Sequence, residues 1–183
     1  HMIHAEASGH ICVMPKSETI KLLVEQAVSQ LKATSAAIAV LKREMQSLAS
    51  RLPEYPAVMS MFGVGPSLGP QLIAEIGDVR RFYSKKALVA FAGIDAPPND
   101  SSDVIGRHKS ISKVGSSSLR RTLFLVMSVY LQNSPQNEPI YRFMDKKRAE
   151  GKPYRVYMMA SANKFLRIYY ATVKAYLDFL EQA

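Results

Sequence analysis

From Ser17 to Leu52 the chain contains neither glycine nor proline. Along it Ile20, Val24, Ala27, Leu31, Thr34, Ile38, Leu41, Met45, Leu48 and Leu52 alternate steps of four and three. Nine of these ten residues are apolar, and a repeat of 3.5 residues sustained this long defines a seam that must meet another helix along its length. Ser17, following Pro15, is placed to cap the start, and Pro53 with Pro56 ends the run. The stretch reads as a coiled-coil helix over 17–52, pairing between chains as a dimer or tetramer or with a returning helix; the alternative is one long helix laid on its own domain.

Downstream the pattern changes. Two prolines bracket Glu54-Tyr55, so 53–61 reads as a hinge. A helical domain is expected over 53–183. Its predicted helices are Leu72 to Ile76 ended by Gly77, Ser84 to Phe91 ended by Gly93, Leu119 to Gln132, Pro139 to Glu150 ended by Gly151, and Arg155 to Glu181. The last carries an apolar stripe of Tyr157, Ala160, Phe165, Ile168, Ala171 and Tyr176. No segment alternates with the two-residue period of a strand, so the fold class is all-α. Residues 94–118 are polar, rich in Ser and Gly, and without period; a connection that long within a domain usually carries function.

Charge points to a partner. The formal net charge is +9, and residues 61–183 hold 18 basic and 10 acidic side chains against six and five in 1–60. A polyanion is therefore expected at the downstream part. Nine cations fall within 80–121: Arg80, Arg81, Lys85, Lys86, Arg107, Lys109, Lys113, Arg120 and Arg121. They border a Ser- and Gly-rich loop, where amides, hydroxyls and charge can together hold phosphates. If six met phosphates, affinity would fall about 10³-fold between 50 and 200 mM salt. Upstream, Phe62-Gly63-Val64-Gly65-Pro66 before a short helix has the form of a helix-hairpin-helix element over 60–78. In such an element Gly63 and Gly65 turn amides toward a DNA backbone without reading bases; a tight turn between packed helices would use the same residues.

Other classes fall away. Cys12 is the sole cysteine, so an internal disulfide scaffold is excluded and a reducing cytoplasm is expected. No apolar run approaches the roughly 20 residues of a membrane-crossing helix. His1-Met2 reads as a cloning remnant ahead of a flexible lead over 1–16, and the chain as a fragment. No zinc-ligand spacing is present. His108 reads as a surface histidine, and Tyr169-Tyr170 as core residues rather than nucleophiles.

Several short strings then occur in a fixed order: Phe62 to Pro66, Ala74-Glu75-Ile76-Gly77-Asp78, Arg81-Phe82, Ala92-Gly93-Ile94-Asp95, Ser101, and Ile111 to Gly115 with Leu119-Arg120. Together they closely resemble the C-terminal transposase domain of the insertion sequence 110 family, over about 61–151. The resemblance implies a DNA recombinase whose serine attacks a phosphodiester and becomes phosphoserine-linked to DNA. It also implies a guide RNA partner and an N-terminal resolvase-like domain that supplies an acidic Mg site; that domain is not expected in this fragment, where no metal site or other cofactor is indicated. The family serine usually stands in a Ser-Gly pair. Ser101 falls on the family spacing and Ser102 replaces the glycine, so both are candidate nucleophiles. A serine hydroxyl needs a base or strong stabilisation of the developing charge; Arg107, Lys113 and Arg120 suit the second task, Asp100 or Asp103 the first. The competing readings are a non-catalytic helix-hairpin-helix scaffold for nucleic acid and a coiled-coil protein with an acidic protein partner.

Overall fold

A computed structural model describes residues 17–95 and 110–182. Among them are seven α-helices, one 3₁₀ turn and no strand, so the all-helical expectation holds. The chain divides into two units, His1–Glu44 and Met45–Ala183.

Helix α1, Glu18–Ala49, supplies all the described structure of the first unit. The Ile20 amide donates to Ser17 Oγ at 3.3 Å, a long capping bond at the expected residue. Seam residues remain uncovered: Leu31 is 68% exposed, Leu41 63% and Ile38 47%.

The second unit holds α2 (Tyr55–Met59), α3 (Leu68–Ile76), α4 (Lys85–Phe91), α5 (Ser117–Asn133), α6 (Pro139–Ala149) and α7 (Tyr154–Gln182), with the 3₁₀ turn Val79–Arg81 between α3 and α4. Two expectations are corrected here. The proposed hinge contains helix α2, with Pro56 in its first turn and Val58 fully buried. Helix α3 begins at Leu68 rather than Leu72. The reason is the same in both cases, because the first turn of a helix has amides without intrahelical partners and proline gives up nothing there. The chain leaves α3 at Gly77 and α4 shortly before Gly93, both with φ near +63°, as the glycine positions predict.

Helix α7 packs against α4, α5 and α6, and α3 packs against α5. Contact with several partners widens its buried face beyond a single stripe. Met158, Ala162, Phe165, Leu166, Tyr169 and Val173 are buried, while Ala171 of the expected stripe is exposed. The core is completed by Leu119, Leu123, Met127 and Tyr130 of α5, Leu72 and Ile76 of α3, Leu88 of α4 and Met144 of α6. Ser161, fully buried in α7, donates to the Tyr157 carbonyl at 2.8 Å, so it carries no unmet donor.

Candidate nucleic-acid interface

Two of the strings singled out in the sequence, Ala92 to Asp95 and Ile111 to Gly115, meet as the paired segments 91–95 and 110–116. Ser112 N donates to the Asp95 carbonyl at 2.9 Å, Lys113 N to that of Gly93 at 3.0 Å and Ser116 N to that of Phe91 at 2.8 Å. Side chains reinforce the ladder, with Ser112 Oγ donating to Asp95 Oδ1 at 2.6 Å. Ser116 Oγ accepts from Leu119 N at 3.0 Å, capping α5, and donates to Glu75 Oε2 at 3.1 Å, which ties α5 to α3. Arg120 Nη1 donates to the carbonyls of Ala92 (3.1 Å) and Gly115 (3.4 Å). Lys113 adopts a left-handed conformation, φ +56°, an uncommon one for a residue with a side chain.

Gly115 makes this crossing possible. Its φ is +125°, and a Cβ there would collide with the Phe91 carbonyl that accepts from Ser116. Strained backbone costs about 1–3 kcal/mol and a lost hydrogen bond about 1 kcal/mol. Gly115→Ala is therefore expected to lower unfolding stability by about 3 kcal/mol, measured by chemical denaturation; a loss below about 1 kcal/mol would contradict the close crossing. Gly65→Ala is the matched comparison. A Cβ at Gly65 meets nothing within 4 Å, and the change should stay within about 0.5 kcal/mol.

The nine cations do not share one role. Arg80 is paired with Asp78 at 2.9 Å and with Glu181 of α7. Its guanidinium holds the Asp78 carboxyl below the usual carboxylate range, and Asp78 and Glu181 in turn hold Arg80 firmly protonated. Arg81 lies 4.4 Å from the Phe82 ring centre and 4.7 Å from that of Phe91, with Nε donating to the Ile76 carbonyl at 2.9 Å. Both arginines thus serve the fold where they stand. Lys85 and Lys86 open α4 and are exposed. Lys113, Arg120 and Arg121 line one cavity together with Arg155, a residue with no local signal to set it apart from other helix cations. Among the described residues, Lys113, Arg121 and Arg155 take part in no ion pair. Ser101, Ser102, Arg107 and Lys109, with Asp100, Asp103 and His108, lie outside the described residues.

The turn between α2 and α3 places Gly63 at φ +79° beside the Tyr130 ring, and Phe62 to Leu68 line a shallow concavity of about 500 Å³ with Val129 and Asn133. Tyr169 is 1% exposed and its burial pushes the phenol pKa well above the ordinary value, so it is poorly suited to act as a nucleophile. Tyr170 donates its hydroxyl to the Phe82 carbonyl at 3.0 Å. Among the described residues no three His, Cys, Asp or Glu side chains gather as metal ligands, and no helix is long and apolar enough to cross a membrane. The described residues therefore do not fit the acidic Mg site that the resemblance implies.

Comparison with known proteins adds a second line of observation. Residues 55–142 match the family described as Transposase IS116/IS110/IS902. That span runs from α2 through α5 into α6, and it includes the turn between α2 and α3, both paired segments, Lys113, Arg120 and Arg121. A pilin gene-inverting protein of Moraxella bovis is 27% identical over 144 residues, covering 76% of this chain and 44% of that protein. The 42 kDa protein of insertion element IS900 from Mycobacterium paratuberculosis is 24% identical over 169 residues, covering 92% of this chain and 41% of that protein. The chain thus spans less than half the length of these curated relatives. Over residues 55–142 the chain is similar to transposases of the IS116/IS110/IS902 type.

Proposed function

We propose that this chain is the transposase domain of an insertion-sequence recombinase. It grips the DNA phosphate backbone and supplies the serine that cuts and rejoins strands. The reading is carried by the match over residues 55–142, which includes the cationic residues at the paired segments. The relatives' printed names, a gene-inverting protein and an insertion-element protein, agree with DNA rearrangement. Lys113, Arg121 and Arg155 hold phosphates, with Arg120 fixing the segment that carries Lys113; Gly63 and Gly65 offer hairpin amides to the backbone elsewhere along α5.

Ser101 is the proposed nucleophile, with Ser102 as the alternative. Its hydroxyl oxygen attacks phosphorus, its proton passes to a base, and the departing strand's oxygen leaves with the bonding electron pair. The neighbouring cations stabilise the charge gathered on the phosphoryl oxygens. A Mg ion on a resolvase-like domain would activate and orient the same phosphate; no residue described here is assigned to hold it. A guide RNA that selects the DNA and self-association through α1 complete the reading.

Binding to mixed-sequence duplex DNA tests it. With three phosphates neutralised, log K should fall with log salt at a slope near −2.7, about 40-fold between 50 and 200 mM. Arg121→Glu should weaken binding and flatten the slope by about one or more. Salt-independent binding, or none at 50 mM salt, would defeat the proposal.

A further inference from the structure

The cavity that contains Lys113, Arg120, Arg121 and Arg155 measures about 860 Å³. Its remaining lining is largely apolar: Phe124 of α5, Phe143 of α6, and Val156, Met159 and Ala160 of α7. Duplex phosphates are met by cations and amides on an open face, and an apolar wall adds nothing to that contact. A ligand suited to both parts of the lining carries negative charge and a flat, weakly polar body. The size selects further, because cavities of about 300–1,000 Å³ take small molecules, whereas a duplex cannot enter.

The aromatic rings are open to such a ligand. Phe124 and Phe143 are only half-buried, so each retains surface for stacking. Phe143 also has Lys164 Nζ at 4.9 Å and Lys147 Nζ at 5.7 Å from its ring centre, which adds positive charge beside the apolar wall. The feature was invisible to a count of cations, since its parts come from α5, α6, α7 and the 110–115 segment.

We propose that this cavity receives one unpaired nucleotide of DNA, its base against Phe124, Phe143 and Met159 and its flanking phosphates on Lys113, Arg121 and Arg155. The inference rests on the reading that this face meets DNA, and it specifies what the face recognises there. A nucleotide already unpaired pays no cost of extrusion, so a bulged site should be preferred over a paired one. Stacking on aromatic rings supplies most of the preference.

The test uses the 183-residue chain and three labelled duplexes, fully paired, carrying one bulged 2-aminopurine, or carrying one abasic bulge. The bulged duplex should bind about tenfold tighter than the paired one, the abasic bulge should lose that gain, and 2-aminopurine emission should change on binding. Phe143→Ala should return bulged affinity to the paired level, leaving paired-duplex affinity and the melting temperature nearly unchanged. Should that variant unfold, the wild-type comparison of base against abasic bulge decides alone. Equal affinity for all three duplexes overturns the inference while the duplex-binding reading stands. Failure to bind any of them overturns both. Tighter binding of the same bulge in RNA overturns the assignment to DNA.

Discussion

Ser101→Ala, made in the full-length protein, should abolish covalent attachment of DNA while leaving fold and nucleic-acid affinity within about 0.5 kcal/mol of the parent, as for an ordinary polar substitution. The contrast follows from the chemistry, because a covalent route loses its nucleophile outright. Binding through Lys113, Arg121 and Arg155 keeps every charge it had. Ser102→Ala is the necessary companion, since Ser-Ser stands where the family resemblance leads one to expect Ser-Gly. It should retain the protein–DNA adduct on denaturing gels. Loss of the adduct in Ser102→Ala with persistence in Ser101→Ala would move the nucleophile by one residue. Persistence in the double variant would remove serine chemistry from this loop altogether. Tyr169 would be a poor substitute in that case, because its phenol is buried and its pKa is raised. Metal-activated water would then become the leading alternative.

Much of the fold could be read locally. The helical course of α1, the Ser84 start of α4 and the glycine ends of α3 and α4 depend on residues a few positions apart. Their physical causes are visible in the sequence. Ser84 Oγ does accept from Ala87 N at 3.2 Å. What escaped was set by contacts distant in sequence. The buried arc of α7 depends on α4, α5 and α6 together, so a single-stripe reading kept Ala171 and overlooked Met158 and Leu166. The site shows the same division. Arg80 and Arg121 look equivalent as sequence, yet Arg80 is drawn to Glu181, 101 positions away, while Arg121 lines the cavity. Arg155 and Phe143 lay outside the basic cluster. No local signal separated them from the other residues of amphipathic helices.

Helix α1 has the second large effect. Leu31 and Leu41 lie on the seam and are 68% and 63% exposed, and an uncovered apolar stripe of this length is unusual on a monomeric protein. A second copy of the chain is the proposed cover, because a repeat of 3.5 residues suits pairing of like helices. Leu31→Glu with Leu41→Glu places two charges per chain in that seam. In a dimer four leucines are lost from burial, each contributing about 1.5–3 kcal/mol, so association should weaken by at least about 6 kcal/mol, or about 10⁴-fold. Light scattering should show the parent as a dimer or tetramer and the double variant as a monomer at micromolar concentration. Leu22→Glu provides the control: Leu22 is 56% exposed but lies two positions before Val24, off the seam. Its replacement alters hydrophobicity without placing charge between helices, so assembly should persist. A monomeric parent would show that the stripe is not covered by a second copy. Equal dissociation by Leu22→Glu would show that the heptad register does not define the contact.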